Sequence, residues 1–207
     1  MTPLLTLLAA YLLGSIPNGY LAARWLKGID IRNCGSGSTG ATNVLREVGK
    51  GAALAVFVLD VVKGTAAVLL AKALLQPLGF SPASDWWVVA AGLAALAGHS
   101  WPVWLGWRGG KAVASGLGML LGLAWPVGLA CFGVFLAVLS LSRIVSLSSI
   151  SAAVSLPLLM LGSFSSSGLR PAYLAVAIVA AALVILRHKA NIQRLLAGNE
   201  PRLGQKR

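Results

Sequence analysis

The chain has 207 residues, of which 57% are hydrophobic and only 11% are charged, and its mean hydropathy is +0.83. Soluble domains carry roughly 25% charged residues, so this composition excludes a soluble globular protein and indicates an integral membrane protein. The formal net charge is +12, but the seven tryptophans lie mainly near the ends of apolar stretches rather than among the basic residues, so topology and anionic ligands explain the charge better than a nucleic-acid partner does.

Four apolar stretches are each close to the roughly 20 residues that a helix needs to cross a bilayer. They cover residues 3–25, 52–75, 86–105 and 171–186. The first could instead be a cleavable signal peptide, but it has no basic n-region and no small-residue cleavage site before the basic residues that follow, so we expect a retained helix. The length suits one domain, and we expect a single transmembrane domain over residues 1–207.

A fifth apolar stretch, residues 113–141, is ambiguous because it is long for one span and short for two. The positive-inside rule places the four groups of basic residues in the cytoplasm, and a single span here would export Arg143 and the basic C-terminal tail. We therefore predict a hairpin that is broken near Trp125, Pro126 and Gly128. The basic groups are residues 24–50, 108–111, 143 and 187–207.

The predicted fold is thus an all-α integral membrane protein with seven transmembrane helices, the N-terminus outside and the C-terminus in the cytoplasm. The two connections with little positive charge, residues 76–85 and 163–170, are expected to face outward. Glycines within the spans, among them Gly116, Gly118 and Gly122, are expected to allow close helix packing.

Four polar clusters interrupt the apolar sequence and lie, on this topology, at the cytoplasmic face. They are residues 35–46, 108–115, 142–146 and 187–192. Glycine-rich backbone exposes N–H groups that bind anions, and the arginines and lysines of the clusters add positive charge. Convergence on one face favours a binding site, whereas a transport pathway needs polar groups at both ends. A small anion channel or transporter remains the alternative.

The second cluster contains the turn Gly109, Gly110 and Lys111. It differs from a nucleotide-binding P-loop because Leu105 and Ala112 stand where glycine and Ser/Thr belong, which excludes nucleotide hydrolysis. We expect the two glycines to expose amides at the start of an apolar helix, whose positive dipole end faces an anion. The alternative is a basic turn that only sets topology.

Several ionisable residues lie in or beside the spans. His188 and Asn191 follow the last span and are three residues apart, so we expect them on one helical face within a site. Asp60 and Lys63 share the same spacing inside the second span, where they either form an ion pair or contact the ligand. His99 is equally compatible with helix packing and with support of a site. Lys72, near the outer end of the second span, is expected to snorkel.

The two cysteines, Cys34 and Cys131, indicate neither a disulfide framework nor a zinc site. Cys34 lies beside the first polar cluster and could be a nucleophile, but a small buried thiol is the better interpretation because no histidine lies near it in sequence. Only five acidic residues are present, so we expect no metal site.

Taken in order, these motifs resemble the acyl-phosphate-dependent glycerol-3-phosphate acyltransferases of bacteria, the PlsY family, over essentially the whole chain. At three places this chain has Ser38-Thr39, Ala112 and Ser115 where the family has Asn-Pro, Gly and Thr. The motifs are Gly14-Ser15-Ile16-Pro17, Gly35-Ser36-Gly37, Gly40-Ala41-Thr42-Asn43-Val44-Leu45-Arg46, Asp60-x-x-Lys63-Gly64, Gly98-His99-x-x-Pro102, Gly109-Gly110-Lys111, Val145-Ser146-Leu147 and Arg187-His188-x-x-Asn191-Ile192.

The resemblance implies a multi-pass enzyme of the bacterial plasma (inner) membrane, with its active site facing the cytoplasm and no cofactor. Such an enzyme transfers a fatty acyl group from acyl phosphate to the 1-hydroxyl of sn-glycerol 3-phosphate and releases lysophosphatidic acid and phosphate. Its partners are these two substrates and membrane lipid, and the enzyme that makes acyl phosphate is a further partner to test.

The resemblance also implies the site residues. Arg46 and Lys111 are expected to bind phosphate oxygens and to offset charge on the leaving group, while His188 and Asn191 orient the glycerol phosphate. Either His188 or a substrate phosphate oxygen takes the hydroxyl proton. The expected substrate-binding residues are Ser36, Gly37, Thr42, Asn43, Gly109, Gly110, Ser115 and Ser146.

Overall fold

The structure is a computed structural model that describes residues 2–75, 82–163 and 170–205. In these residues all regular secondary structure is helical, as predicted. The helices are α1 (Thr2–Ser15), α2 (Asn18–Lys27), α3 (Ala41–Glu47), α4 (Lys50–Leu75), α5 (Pro82–Ser100), α6 (Val113–Ser142), α7 (Val145–Gly162), α8 (Pro171–Arg187) and α9 (Lys189–Leu196), with 3-10 turns at Ile31–Asn33 and Val103–Leu105.

Within the described residues, five helical segments are long and apolar enough to cross a membrane, and there are six if the pair α8 and α9, which meet at a 62° bend, is counted as one span. The prediction of a helical protein with several membrane spans is therefore confirmed. The count of seven spans and the orientation of the termini stay predictions. The five segments are Thr2–Lys27, Lys50–Leu75, Ala83–Leu105, Val113–Ser142 and Val145–Gly162.

The first predicted helix, residues 3–25, is interrupted in the structure. α1 ends at Ser15 and α2 begins at Asn18. Pro17 explains the interruption, because it has no N–H to continue the helix and it disfavours helical dihedrals at the residue before it. The carbonyl oxygens near this break need other donors, and the carbonyl of Ile16 receives a hydrogen bond from Lys63 Nζ at 2.9 Å.

The chain divides into two compact units, Met1–Leu123 and Ala124–Arg207. In the first unit, α1 packs on α4 and α5, and α4 also packs on α3. Its core beneath the first polar cluster includes Ala23, Ile31, Val44 and Val56. In the second unit, α7 packs on α8 and α8 leads into α9. The single domain over residues 1–207 stays a prediction.

α6 contains a break at Ala124, whose φ of −148° and ψ of 79° are not helical. The predicted break near Trp125, Pro126 and Gly128 thus lies within a few residues of the observed one. Pro126 cannot donate to the carbonyl four residues earlier, at Gly122. Lys72 Nζ donates to that carbonyl at 2.7 Å, so Lys72 is held at the break, a role that the expectation of snorkelling missed.

Close packing of α4 and the first half of α6 is confirmed at two of the three glycines that were expected to allow it. A Cβ at Gly118 would clash with the carbonyl of Val61, and one at Gly122 would lie 2.8 Å from Val68 Cβ. Gly116 faces open space instead. Of the connections expected to face outward, residues 76–81 and 164–169 lie outside the described residues.

Candidate functional site

The loop of the first polar cluster is held in shape by the side chain of Asn43. Asn43 Oδ1 accepts a hydrogen bond from the Ser36 amide at 2.9 Å. Its Nδ2 donates to the carbonyl oxygens of Ile31, Cys34 and Ser38 at 3.2, 3.0 and 3.0 Å. Asn43 is 1% exposed. A buried amide engaged by four backbone groups acts as a tie within the loop, and the substrate contact expected of Asn43 from the sequence stays a prediction.

The glycines of this loop serve its tight path. Gly35 and Gly37 have φ of +55° and +68°, a region that non-glycine residues rarely adopt. A Cβ at Gly35 would also clash with Asn43 Oδ1. The loop leaves two polar side chains of the expected set exposed, Ser36 in the loop and Arg46 in the last turn of α3. Both side chains are therefore accessible at the protein surface.

Arg32 links this loop to the turn before the second cluster, and sequence reasoning missed it. Its guanidinium pairs with Asp30, with Nη2 2.6 Å from Asp30 Oδ2, and lies over the ring of Tyr20. Its Nη1 donates to the carbonyl of Leu105 at 2.9 Å. Hydrogen bonding from Arg32 lowers the pKa of Asp30 to about 2 despite partial burial. Asp30 is therefore ionised at neutral pH, and the Arg32 bridge is intact there.

The glycine amides of the second cluster, which were expected to be exposed, donate to backbone carbonyls at the end of α5. Gly109 N–H donates to the carbonyl of Ser100 at 3.2 Å, and Gly110 N–H donates to that of His99 at 3.0 Å. A Cβ at Gly109 would clash with the His99 carbonyl, and one at Gly110 would clash with His99 Nε2. Glycine is needed at both positions because the turn lies directly against His99. The amides of both glycines are hydrogen-bonded to carbonyls at the end of α5.

The residues after this turn lead into α6. Lys111 is half-buried, and Ala112 has a φ of +59°, a left-handed conformation that costs an L-residue roughly 1–2 kcal/mol. Ser115, expected to bind substrate, is 0% exposed and its carbonyl packs against Gly64 of α4. Among the described residues, the buried Ser115 hydroxyl has no hydrogen-bond partner. Its position in the structure is that of a helix-packing residue.

In the second unit, Glu200 gathers three polar side chains. Glu200 Oε1 accepts from Ser146 Oγ at 2.7 Å and from Asn191 Nδ2 at 2.5 Å, and Oε2 accepts from Arg194 Nε at 2.7 Å. Burial raises the pKa of Glu200, but the hydrogen bonds from Asn191, Ser146 and Arg194 outweigh it and the pKa is lowered overall. Glu200 is thus an ionised anchor for Ser146 and Asn191, two residues of the expected site.

Sequence reasoning missed Glu200, although one signal was present. It is the only acidic residue among residues 187–207, which are otherwise rich in Lys and Arg. An isolated carboxylate in a basic segment suggests a buried or paired group, but nothing in the local spacing indicates that Ser146, far away in sequence, is its partner.

His188 lies at the junction of α8 and α9. It is 3% exposed, and its Nδ1 is 2.7 Å from the carbonyl oxygen of Val184. A carbonyl only accepts, so Nδ1 carries the proton in this bond, and the neutral ring then presents Nε2 as an acceptor. Asn191 is in the first turn of α9, so His188 ends one helix and Asn191 belongs to the next, rather than both lying on one continuous helix.

Of the two alternatives for Asp60 and Lys63 inside the second span, the structure shows the ion pair. Lys63 Nζ lies 2.8 Å from Asp60 Oδ1, and both side chains are buried. Of the cysteines, Cys34 is half-buried with its Sγ 3.6 Å from the carbonyl of Asp30, and Cys131 is buried. In the described part of the chain, no three His, Cys, Asp or Glu side chains come together as metal ligands would.

Comparison with known proteins identifies close relatives. The family model described as glycerol-3-phosphate acyltransferase matches residues 4–198. A protein named glycerol-3-phosphate acyltransferase from Prochlorococcus marinus (strain MIT 9313) is 71% identical over 98% of this chain and 95% of its own length. One of the same name from Synechococcus sp. (strain CC9902) is 68% identical over 100% and 98%.

Solved structures give the same result. The crystal structure of PlsY (YgiH), an integral membrane glycerol 3-phosphate acyltransferase, in its glycerol 3-phosphate form is 41% identical, covers 99% of this chain and 96% of its own, and superposes with a TM-score of 0.87. Its lysophosphatidic acid form is 40% identical, with the same coverage and a TM-score of 0.84. The chain belongs to the glycerol-3-phosphate acyltransferase family of integral membrane proteins.

Proposed function

We propose that this protein is a membrane acyltransferase that moves a fatty acyl group from acyl phosphate to the 1-hydroxyl of sn-glycerol 3-phosphate. The observation that carries the proposal is the similarity, at 41% identity over nearly the whole chain, to an acyltransferase crystallised with glycerol 3-phosphate and with lysophosphatidic acid. These two molecules are the acceptor and the product of this transfer.

In the proposed reaction, the hydroxyl oxygen attacks the acyl carbon directly. A C–O ester bond forms, the bond between the acyl carbon and the phosphate oxygen breaks, and phosphate leaves with the electron pair. Acyl phosphate is a mixed anhydride and is already activated, so neither an acyl-enzyme intermediate nor a cofactor is needed. The task of the protein is to position two phosphate-bearing molecules and to stabilise the charge that develops on the leaving group.

In the first unit, we assign phosphate binding to Arg46 and Lys111, helped by Ser36. Arg46 and Ser36 are exposed, and a guanidinium binds phosphate through charge-assisted hydrogen bonds. Gly37 and Thr42, which lie in the same segment, stay candidates for contact through the backbone and the hydroxyl. Four further residues expected to bind substrate stay candidates, and their contacts within the protein also give them a part in shaping the site: Asn43, Gly109, Gly110 and Ser115.

In the second unit, His188 and Asn191 orient the glycerol phosphate, with Ser146 beside Asn191 on the same carboxylate. The hydroxyl proton goes either to His188 Nε2 or to a substrate phosphate oxygen. The pH–rate profile of His188→Gln separates the two routes, because only the first loses the limb near neutral pH.

Membrane topology completes the proposal. We infer seven spans, with the N-terminus outside, the C-terminus inside and the site facing the cytoplasm of a bacterial inner membrane. The non-helical dihedrals of Ala124 support two short spans in place of one long α6, and the basic residues support the orientation. The enzyme that makes acyl phosphate is a candidate partner at this face, because the donor carries a long acyl chain.

Purified full-length protein in lipid nanodiscs is expected to form lysophosphatidic acid from acyl phosphate and glycerol 3-phosphate without added metal or coenzyme A. One phosphate should appear per product molecule, and acyl-coenzyme A should not serve as donor. Arg46→Ala is expected to lower kcat/KM by about 100-fold or more, as loss of a charged transition-state donor does.

Lys50→Ala is the matched control, since Lys50 is an exposed cation four residues from Arg46 and is outside the proposed site. Its activity should stay within about twofold of the wild type. Absence of lysophosphatidic acid together with anion flux into liposomes would overturn the proposal in favour of an anion channel or transporter.

A further inference from the structure

A buried polar cluster lies inside the first unit, apart from the exposed residues assigned to phosphate. Asp60 Oδ1 accepts from Lys63 Nζ at 2.8 Å and from Asn18 Nδ2 at 3.0 Å, and it lies 3.7 Å from His99 Nδ1. Asp60, Lys63 and His99 are each less than 10% exposed. One carboxylate in α4 therefore joins side chains from the start of α2 and the end of α5.

The cluster supports the second glycine turn through His99. The Nε2 edge of the His99 ring lies so close to Gly110 that a Cβ there would clash with Nε2, and the His99 carbonyl accepts from Gly110 N–H at 3.0 Å. Because His99 is in contact with the turn through both ring and backbone, displacement of the ring displaces Gly110. Lys111 is the next residue, so its position depends on the same contact.

The cluster also supports the first loop, through Asn18. Asn18 begins α2, and its neighbour Gly19 packs so closely on the first loop that a Cβ would clash with the carbonyl of Thr39. Asn18, Thr39, Asp60, Lys63 and His99 line one narrow crevice. The Asp60 carboxylate thus bonds to Asn18 of α2, the helix that packs against the first loop. It also lies beside His99, which packs against the Gly109–Gly110 turn.

The stability of the fold does not by itself explain why a buried Asp60–Lys63 ion pair is present. Burying two charges in a membrane span is costly, and apolar residues of similar volume often stabilise a protein as well or better. Buried polar groups can instead specify one arrangement of their neighbours.

We propose that Asp60 is a positioning residue that holds the first loop and the Gly109–Gly110 turn in register, and with them the two phosphate-binding cations Arg46 and Lys111. The proposal rests on the function proposed above for those cations. Asp60 itself touches no substrate in this scheme.

The test replaces the ion pair by apolar residues, Asp60→Leu with Lys63→Met, in full-length protein in nanodiscs. Removal of both charges leaves no unpaired buried ion, so the variant is expected to fold with a melting temperature equal to or above that of the wild type. Amide hydrogen exchange at Gly109 and Gly110 should be at least tenfold faster, and kcat/KM for lysophosphatidic acid should fall at least tenfold. Asp60→Asn, which keeps the shape, should show the same faster exchange.

Lys72→Met is the matched control, because it removes another buried-stem lysine of α4 that donates to backbone carbonyls, remote from both loops. It should leave exchange at Gly109 and Gly110 unchanged and activity within about twofold. Wild-type exchange in both Asp60 variants, or equally fast exchange in Lys72→Met, would overturn the proposal. Hydrogen exchange is measured without substrate, so it reports on the positioning of the turn whether or not the protein is active. Failure of the wild type to form lysophosphatidic acid would count against the proposed function alone.

Discussion

Glu200→Ala is expected to reduce kcat/KM for lysophosphatidic acid formation by at least about 100-fold. The change leaves the Ser146 hydroxyl, the Asn191 amide and the Arg194 guanidinium without the carboxylate that now holds all three. A buried donor left without its partner costs about 1–3 kcal/mol, and each 1.36 kcal/mol of lost transition-state stabilisation is a tenfold loss of rate. Steady-state kinetics in nanodiscs measure the effect.

Glu200→Gln separates the shape of the anchor from its charge. Its carbonyl oxygen can still accept from Ser146 and Asn191, while its NH2 group is directed at Arg194, so a smaller loss of about tenfold is expected. Full activity of Glu200→Ala in a folded protein would show that Ser146 and Asn191 need no anchor.

The stability that the Glu200 carboxylate contributes is also expected to be lost in acid. Its lowered pKa means that the stability it contributes is present above the ordinary value of 4.5 and is lost as pH falls through the lowered pKa.

Asn43→Ala is expected to have an effect of the same order, about 100-fold or more in kcat/KM, with the spans intact. The loop loses its tie between the Ser36 amide and the carbonyls of Ile31, Cys34 and Ser38. Ser36 then has no fixed position, and the bound phosphate loses a pre-oriented partner. The loss is expected mainly as a raised KM, measured by varying each substrate in turn.

Asn43→Asp distinguishes a tie from a ligand contact. Aspartate keeps an acceptor for the Ser36 amide but directs an oxygen at three carbonyl oxygens, so it should be at least as damaging as alanine. Asn33→Ala is the control, because Asn33 is an exposed amide in the 3-10 turn just before this loop. An Asn43→Ala protein with wild-type KM values would contradict the assigned role.

The helical membrane fold could be predicted from the sequence because hydropathy and charge are properties of whole segments and can be read without knowing which residues come into contact. The break in α6 was placed within a few residues of Ala124 for a local reason, the missing N–H of Pro126. The donor that bonds to the Gly122 carbonyl in place of the missing N–H was not predicted, since Lys72 lies far away in sequence and only the packing of α4 on α6 brings it there.

The candidate site was predicted less completely, and the second glycine turn shows why. Composition indicated flexible glycines with free amides, but their partners, the carbonyls of His99 and Ser100, are supplied by the end of α5. Arg32 and Glu200 were missed for the same reason. Their partners, Leu105 and Ser146, are distant in sequence, so local spacing carries no signal of either contact.

Direct acyl transfer between the two substrates is tested most directly with glycerol 3-phosphate labelled with ¹⁸O at its 1-hydroxyl. Mass spectrometry of the products should find the label in the ester oxygen of lysophosphatidic acid and none in the released phosphate. Attack at phosphorus would instead give labelled glycerol bisphosphate and free fatty acid, and a stable acyl-protein adduct formed before acceptor is added would indicate a covalent intermediate. Either result would contradict direct attack of the hydroxyl on the acyl carbon.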